Sequence, residues 1–276
     1  MIDPNMSDVF KLKPGSQPLL ISMPHVGTAI PPELLARLQP RAARTEDTDW
    51  HLERLYTGLA DELGVSLIVP HYSRYVIDLN RPPQDQPMYP GKSNTELCPT
   101  RFFTGEPLYL AGQAPAAAER AQRLERYWQP YHAALQSELD RLRALHGYAL
   151  LFDAHSIRSE LPWLFEGRLP ALNLGTAEGG AADPAITTAL TAVLAGQSDY
   201  SHVTNGRFKG GYITRHYGRP ELQQHAVQLE MCWRCYMEEQ AIDAQPSYAF
   251  DETRAQRVRP LLALLLRSLL NSRPQS

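Results

Sequence analysis

Five apolar runs of five or six residues, at 18–23, 65–70, 75–79, 148–153 and 226–231, recur along the chain, each bounded by turn residues. Runs of this length, rich in Leu, Ile and Val, are what strands buried on both faces look like. Helical patterns lie between them. Residues 48–63 carry Leu52, Leu55, Tyr56, Leu59 and Leu63 at three- and four-residue spacing, and Gly64 supplies a stop. Residues 115–146 form a long, charged, Ala-rich pattern; Pro115 suits its first turn, whereas Pro130 predicts a kink or split. Segments 184–194 and 252–270 complete the set, each with an acidic residue near its start. Alternation of this kind predicts an α/β sheet with helices on both faces. No internal repeat or low-complexity linker divides residues 1–276, so one domain is expected, with turn-rich loops at 81–90 and 174–183.

Composition narrows the function classes. Hydrophobic residues make up 43% and charged residues 21%, which argues against a largely disordered chain. A formal charge of −3 supplies no global basic field for nucleic acid or anionic lipid. The densest apolar stretch, 261–270, is broken by Arg267 and Ser268 and falls well short of the roughly 18–20 residues that span a bilayer. Residues 1–16 contain Asp3, Pro4 and Asp8 and no apolar core of a signal peptide. Three cysteines (Cys98, Cys232, Cys235) make no disulfide framework, and a reducing, cytoplasmic location is expected. The Cys232-Trp-Arg-Cys235 pair has no second C-x-x-C to complete a zinc site and reads as two partly buried thiols.

Two histidines stand at comparable places. His25 follows the first apolar run and His155 the fourth, and ligands in open α/β sheets collect beyond the carboxyl ends of strands. Two imidazoles and a carboxylate, with one position left open, make the zinc site of many hydrolases. The segment Thr45-Glu-Asp-Thr-Asp-Trp50 offers three carboxylates. Helical periodicity selects Asp49 among them, three residues before Leu52 and on the inward face, although taken alone that residue reads first as a helix cap. On the last strand Gln228 and Glu230 share one face, and a carboxylate there is costly to bury without a purpose, which makes Glu230 the candidate base. An internal salt bridge is its alternative.

Two polar clusters suggest an anionic ligand. The string Arg74-Tyr-Val-Ile-Asp-Leu-Asn-Arg81 groups Asn80 and Arg81, which suit a carboxylate. Residues 205–218 mix Gly206, Gly210 and Gly211 with Arg207, Lys209 and Arg215. Together they point to a small molecule, with two carboxylates as one possibility. No P-loop, no dinucleotide fingerprint and no G-x-S-x-G elbow is present, and nothing places a cysteine beside a histidine as a nucleophile.

The strings Ser22-Met-Pro-His-Val-Gly27, Asp47-Thr-Asp-Trp-His51, Asp78-Leu-Asn-Arg-Pro82, Asp153-Ala-His-Ser-Ile-Arg158 and Asn205-Gly-Arg-Phe-Lys-Gly-Gly-Tyr-Ile-Thr-Arg-His-Tyr-Gly218 stand in one order over residues 18–237. Together they resemble the N-formylglutamate amidohydrolase family, also called N-formylglutamate deformylases. The resemblance implies a zinc-type metallohydrolase that cleaves N-formyl-L-glutamate to formate and L-glutamate, late in one route of histidine breakdown. It implies a three-layer α/β/α fold with a mixed, mostly parallel sheet, similar to zinc carboxypeptidases and aspartoacylase. His25, Asp49 and His155 would then be metal ligands and Glu230 the general base. Asn80 and Arg81 match a string that aspartoacylase uses to hold its acidic substrate; Arg215 is assigned to a second carboxylate, and Asp153 to orienting a ligand histidine. Zinc carboxypeptidases use H-x-x-E, whereas this chain has His25-Val-Gly-Thr28, so the acidic ligand comes from elsewhere and Asp47 stays open beside Asp49. Another small acidic N-acyl amino acid as substrate, or a metal-free dicarboxylate binder, are the alternatives.

Overall fold

The computed structural model describes residues 8–87, 93–242, 247–272 and 274. Seven strands, β1 (Phe10–Lys13), β2 (Leu19–Ser22), β3 (Ser66–Pro70), β4 (Ala149–Ile157), β5 (Leu172–Gly175), β6 (His202–Thr204) and β7 (Gln224–Cys232), form one sheet in the order β1-β3-β2-β4-β7-β5-β6. The central four, β3, β2, β4 and β7, are parallel. The edge strand β1 runs antiparallel to β3, and the β5–β6 pair, parallel within itself, runs antiparallel to β7. The sheet is therefore mixed and mostly parallel, as expected.

Among the described residues seven α-helices cover it: α1 (Pro32–Leu35), α2 (Leu52–Leu63), α3 (Ala117–Arg123), α4 (Gln129–His146), α5 (Pro184–Ala195), α6 (Tyr212–Tyr217) and α7 (Glu252–Asn271). Alternation along the strands divides the core in two. Leu19, Ile21, Leu150, Phe152, Val227 and Leu229 pack with α2, α5 and α7. Leu20, Ala149, Leu151 and Ala226 point the other way and pack with α4 and α6. Toward the carboxyl ends of β4 and β7 this second face turns polar: Asp153 and His155 continue the parity of Leu151, and Gln228 and Glu230 that of Ala226. A change from apolar to polar on one sheet face is what opens a site there.

Several expectations are corrected. Residues 75–79 form a buried turn, not a strand; Arg74, Tyr75 and Val76 already turn and Asp78 bonds to the Leu97 carbonyl rather than to a sheet neighbour. Strands β1, β5 and β6 were not foreseen. The first long helix begins at Leu52 rather than residue 48, because His51 takes a left-handed backbone (φ 61°). At its other end Gly64 caps it in the left-handed region, φ 67°. Pro130 does not break its helix: the chain passes from α3 into a π-turn at Leu124–Trp128 and on into α4. The wider turn precedes the proline directly, where the ring would crowd the carbonyl four residues back. The 81–90 loop is described only as far as residue 87.

Candidate active site

Three backbone segments converge at the carboxyl ends of β2 and β4. His25 lies three residues past β2, and its carbonyl accepts the backbone N–H of Asp49 at 3.0 Å. That bond, not helical periodicity, brings Asp49 into place, since Asp49 precedes α2. The turn carrying it is bracketed by left-handed Thr45 (φ 45°) and His51 (φ 61°). A β-branched residue in that region is strained, and such strain persists where the surroundings over-determine it, commonly at a site. His155 sits within β4 and pairs in register with Glu230 of β7.

His25, Asp49 and His155 are buried, and one ligand atom from each lies within 4.8 Å of the others. Both imidazoles are held alike. Nε2 of His25 is 2.7 Å from Asp78 Oδ1, and Nε2 of His155 is 2.9 Å from Asp153 Oδ2. An ionised carboxylate only accepts, so each Nε2 carries the hydrogen. Nδ1 of each ring then faces Asp49 Oδ2, at 3.6 Å for His25 and 3.1 Å for His155. His25 Nδ1 is buried with no hydrogen-bond partner. Two imidazole lone pairs and a carboxylate oxygen, with an orphaned nitrogen among them and carboxylates behind both rings, fit a divalent cation.

The electrostatics agree. Burial opposes a negative Asp49, but the hydrogen bond from His155 and the neighbouring His25 imidazole outweigh it and hold the carboxyl well below its usual range. Burial likewise opposes a charged His155, yet Asp153 and Asp49 keep its imidazole protonated far above the ordinary value. In the metal-free chain a proton thus balances Asp49, a task a cation would take over. Asp78 is fully buried and receives Arg74 Nη2 at 2.5 Å and the Asn80 N–H at 2.8 Å besides His25. Glu230 differs: burial dominates and pushes its carboxyl up to about 8.

The cleft onto this group is lined by Arg74, Arg81, Arg207, Phe208, Gln228 and Glu230 among others. Gln228 bridges two walls, accepting the Gly211 N–H at 2.7 Å and donating to Glu230 Oε2 at 3.3 Å. Asn80 lines the cleft but is engaged within the protein: Oδ1 accepts the Ile213 N–H at 2.8 Å, and Nδ2 donates to Asp153 Oδ2 at 3.3 Å. It packs so closely on Gly211 that a Cβ there would lie 2.4 Å from Nδ2. Arg81 is steadied by Thr95 and by the Asn80 carbonyl, at 2.6–3.1 Å.

Two candidates part company with the cleft. Arg215 is exposed, its Nε donating to the Gly210 carbonyl at 2.9 Å, because α6 turns it outward; the arginine of that loop that lines the cleft is Arg207. Asp47 accepts from Tyr75 Oη at 2.9 Å and the Phe103 N–H at 3.0 Å, a buried anchor for the turn, and it is Asp49 that joins the histidines. Asp78, Arg74, Gln228 and Arg207 were missed as individuals, although each stands in or beside a string that drew notice. The Cys232 and Cys235 thiols are free and buried, and burial pushes both up. Among the described residues no helix is long and apolar enough to cross a membrane.

Comparison with known proteins follows the same line. The family model for N-formylglutamate amidohydrolase matches residues 17–237. The chain is 52% identical over 265 residues to the N-formylglutamate deformylase of Pseudomonas aeruginosa strain PAO1, covering 96% of this chain and 97% of that protein. It is 49% identical to the N-formylglutamate deformylase of Pseudomonas putida over the same shares. The crystal structure of an N-formylglutamate amidohydrolase from Ralstonia eutropha JMP134 superposes with a TM-score of 0.74, covering 95% of this chain and 97% of that one; at 23% identity this likeness bears on the fold alone. With a matching family model over most of its length and relatives at about half identity, the chain belongs to the N-formylglutamate amidohydrolase family.

Proposed function

We propose that the protein hydrolyses N-formyl-L-glutamate to formate and L-glutamate with one divalent metal ion, zinc by its donor set, at His25, Asp49 and His155. The observation that carries the reading is the buried His25–Asp49–His155 group with Glu230 in register beside it. A zinc ion held there supplies Lewis acidity and lowers the pKa of water toward about 7. Glu230 accepts the proton of the attacking water, whose oxygen forms a bond to the formyl carbon. Arg74, held by Asp78 on the cleft wall, donates to the formyl oxygen as negative charge gathers there. The C–N bond then breaks, Glu230 delivers its proton to the leaving nitrogen, and formate and the free amine result. Desolvation of Glu230 suits both halves of this cycle, because a carboxyl raised toward neutrality holds a proton as well as it takes one. Arg81 holds one substrate carboxylate from the wall beside the metal group. Asn80 is better described as the brace of that wall than as a substrate ligand, given its internal bonds. We place the reaction in the cytoplasm, as one catalytic unit serving histidine breakdown.

Formate release from N-formyl-L-glutamate, before and after chelation and zinc add-back, tests the reading. Release that disappears with chelator and returns with zinc is the expected outcome. Protein that holds zinc yet releases formate from no N-formyl amino acid would sink it, and metal-free binding of dicarboxylates would replace it with a binder.

A further inference from the structure

We propose that Arg207 grips the side-chain carboxylate of N-formyl-L-glutamate and so sets the preference for a glutamate side chain; this rests on the reaction proposed above. Three arginines line the cleft, and they are not equivalent. Arg74 is committed to Asp78, at 2.5 Å, and lies 3.9 Å from Asp49, so it belongs to the metal group. Arg81 follows directly on Asn80, which touches both His155 and Asp153, and its guanidinium is fixed near that group by Thr95. Arg207 comes from the far loop, after β6, and its Nη2 donates to the Leu164 carbonyl at 3.1 Å.

The chemistry of the substrate assigns the pair. With the formamide at the metal group, the α-carboxylate is one carbon from the amide nitrogen and stays close by, within the neighbourhood of Arg81. The side-chain carboxylate lies two methylenes farther out, and those methylenes need apolar contact to be bound well. Leu164, Phe208 and Ile157 supply such a wall in this cleft, and Arg207 is attached to it through both Leu164 and its own neighbour Phe208. A planar guanidinium at the end of an apolar wall recognises a carboxylate at a set distance, so chain length and charge are read together.

The experiment compares N-formyl-L-glutamate with N-formyl-L-glutamine, equal in shape but neutral at the side-chain end, in the parent and in R207M and R207K. Loss of a charge-assisted contact lowers kcat/KM for N-formyl-L-glutamate by about 10- to 100-fold in R207M, chiefly through KM. The value for N-formyl-L-glutamine stays within about twofold, so the discrimination collapses. R207K, which keeps the charge but not the fork, falls between. An equal fall on both substrates, or no change on either, overturns the assignment of Arg207. Failure of the parent itself to hydrolyse N-formyl-L-glutamate overturns the reaction instead, and is read without any variant.

Discussion

Asp78 and Asp153 stand in the same relation to the two imidazoles, and the proposed metal site would depend on both. Each is fully buried, and each takes an Nε2 hydrogen, which leaves Nδ1 facing Asp49, where the proposed metal ion would bind. Asp78 also anchors Arg74, so its removal costs more than orientation. We therefore expect D78N to weaken zinc binding by roughly 10- to 100-fold, the usual effect of losing such a partner, with D153N in the same range. Competition with a chromogenic chelator reads this directly; an unchanged zinc affinity in both variants would show that the carboxylates do not set the ring orientation. At this scale the sequence was most legible where a residue's type limits its uses. His25, Asp49, His155 and Glu230 were all singled out: strand-end positions and the apolar strand around Glu230 suggested them, and the family resemblance chose them more firmly than spacing could. Asp78 was not, because a carboxylate in a turn looks like any capping residue until its partner is known. Arg215 outranked Arg207 for a similar reason: spacing alone does not tell which side of a six-residue helix an arginine takes.

Among the elements, the β4–β7 pairing and the α3–α4 helix place the cleft walls. The parallel register sets His155 against Glu230 with no adjustable loop between them. From behind, the helix holds the Asp78–Arg81 turn by two backbone carbonyls: Trp128 Nε1 donates to the Arg81 carbonyl at 3.1 Å, and His132 Nε2 to the Leu79 carbonyl at 2.9 Å. The π-turn ends at Trp128, which stacks on His132 with centroids 3.7 Å apart. Burial drives the His132 imidazole down to about 3. Its folded value thus lies below the unfolded one near 6.5, so below about pH 6.5 protons favour the unfolded chain and the stability His132 contributes is lost as pH falls. H132F, which keeps the stack and loses the bonds to the Leu79 carbonyl and to Tyr217 Oη, 2.9 Å each, should cost about 1–3 kcal/mol at pH 7. By pH 5 the gap to the parent should shrink by roughly 2 kcal/mol, in denaturant titrations of the metal-free proteins. A gap that does not move with pH would mean that His132 is not neutral in the fold. The long helix itself was plain in the sequence, as were β2, β3, β4 and β7, because all are long or strongly apolar. Strands β1 and β6 escaped because Lys11 and Lys13 break the pattern in one and the other has three residues. The 75–79 run misled for the opposite reason: Tyr75, Val76, Ile77 and Leu79 are buried as core, but their backbone turns to present Arg74 and Asn80 to the cleft and Asp78 to His25.

For the whole molecule the site acts as a clasp. It joins the segment after β2, the turn before α2 and the carboxyl end of β4, the last two 106 residues apart in sequence at the His155–Asp49 contact. The two halves of the core lie on opposite faces of the same sheet, so we expect them to unfold together in one transition. A ligand that binds only the folded chain stabilises it by mass action, about 2.7 kcal/mol at a free concentration one hundred times its Kd. For a chain of this size that is a rise of roughly 5–10 °C in Tm. Zinc should therefore lift the melting temperature of chelator-treated protein by that amount. H155A, which loses a ligand, should show little of the rise. E230Q, which removes only the proton acceptor, should keep all of it while turnover falls about 10²- to 10⁴-fold. The three results together separate holding the metal from using it. An E230Q protein that melts like H155A would move Glu230 from the base to the ligand set, and a parent whose Tm ignores zinc would mean the group does not bind the ion at all.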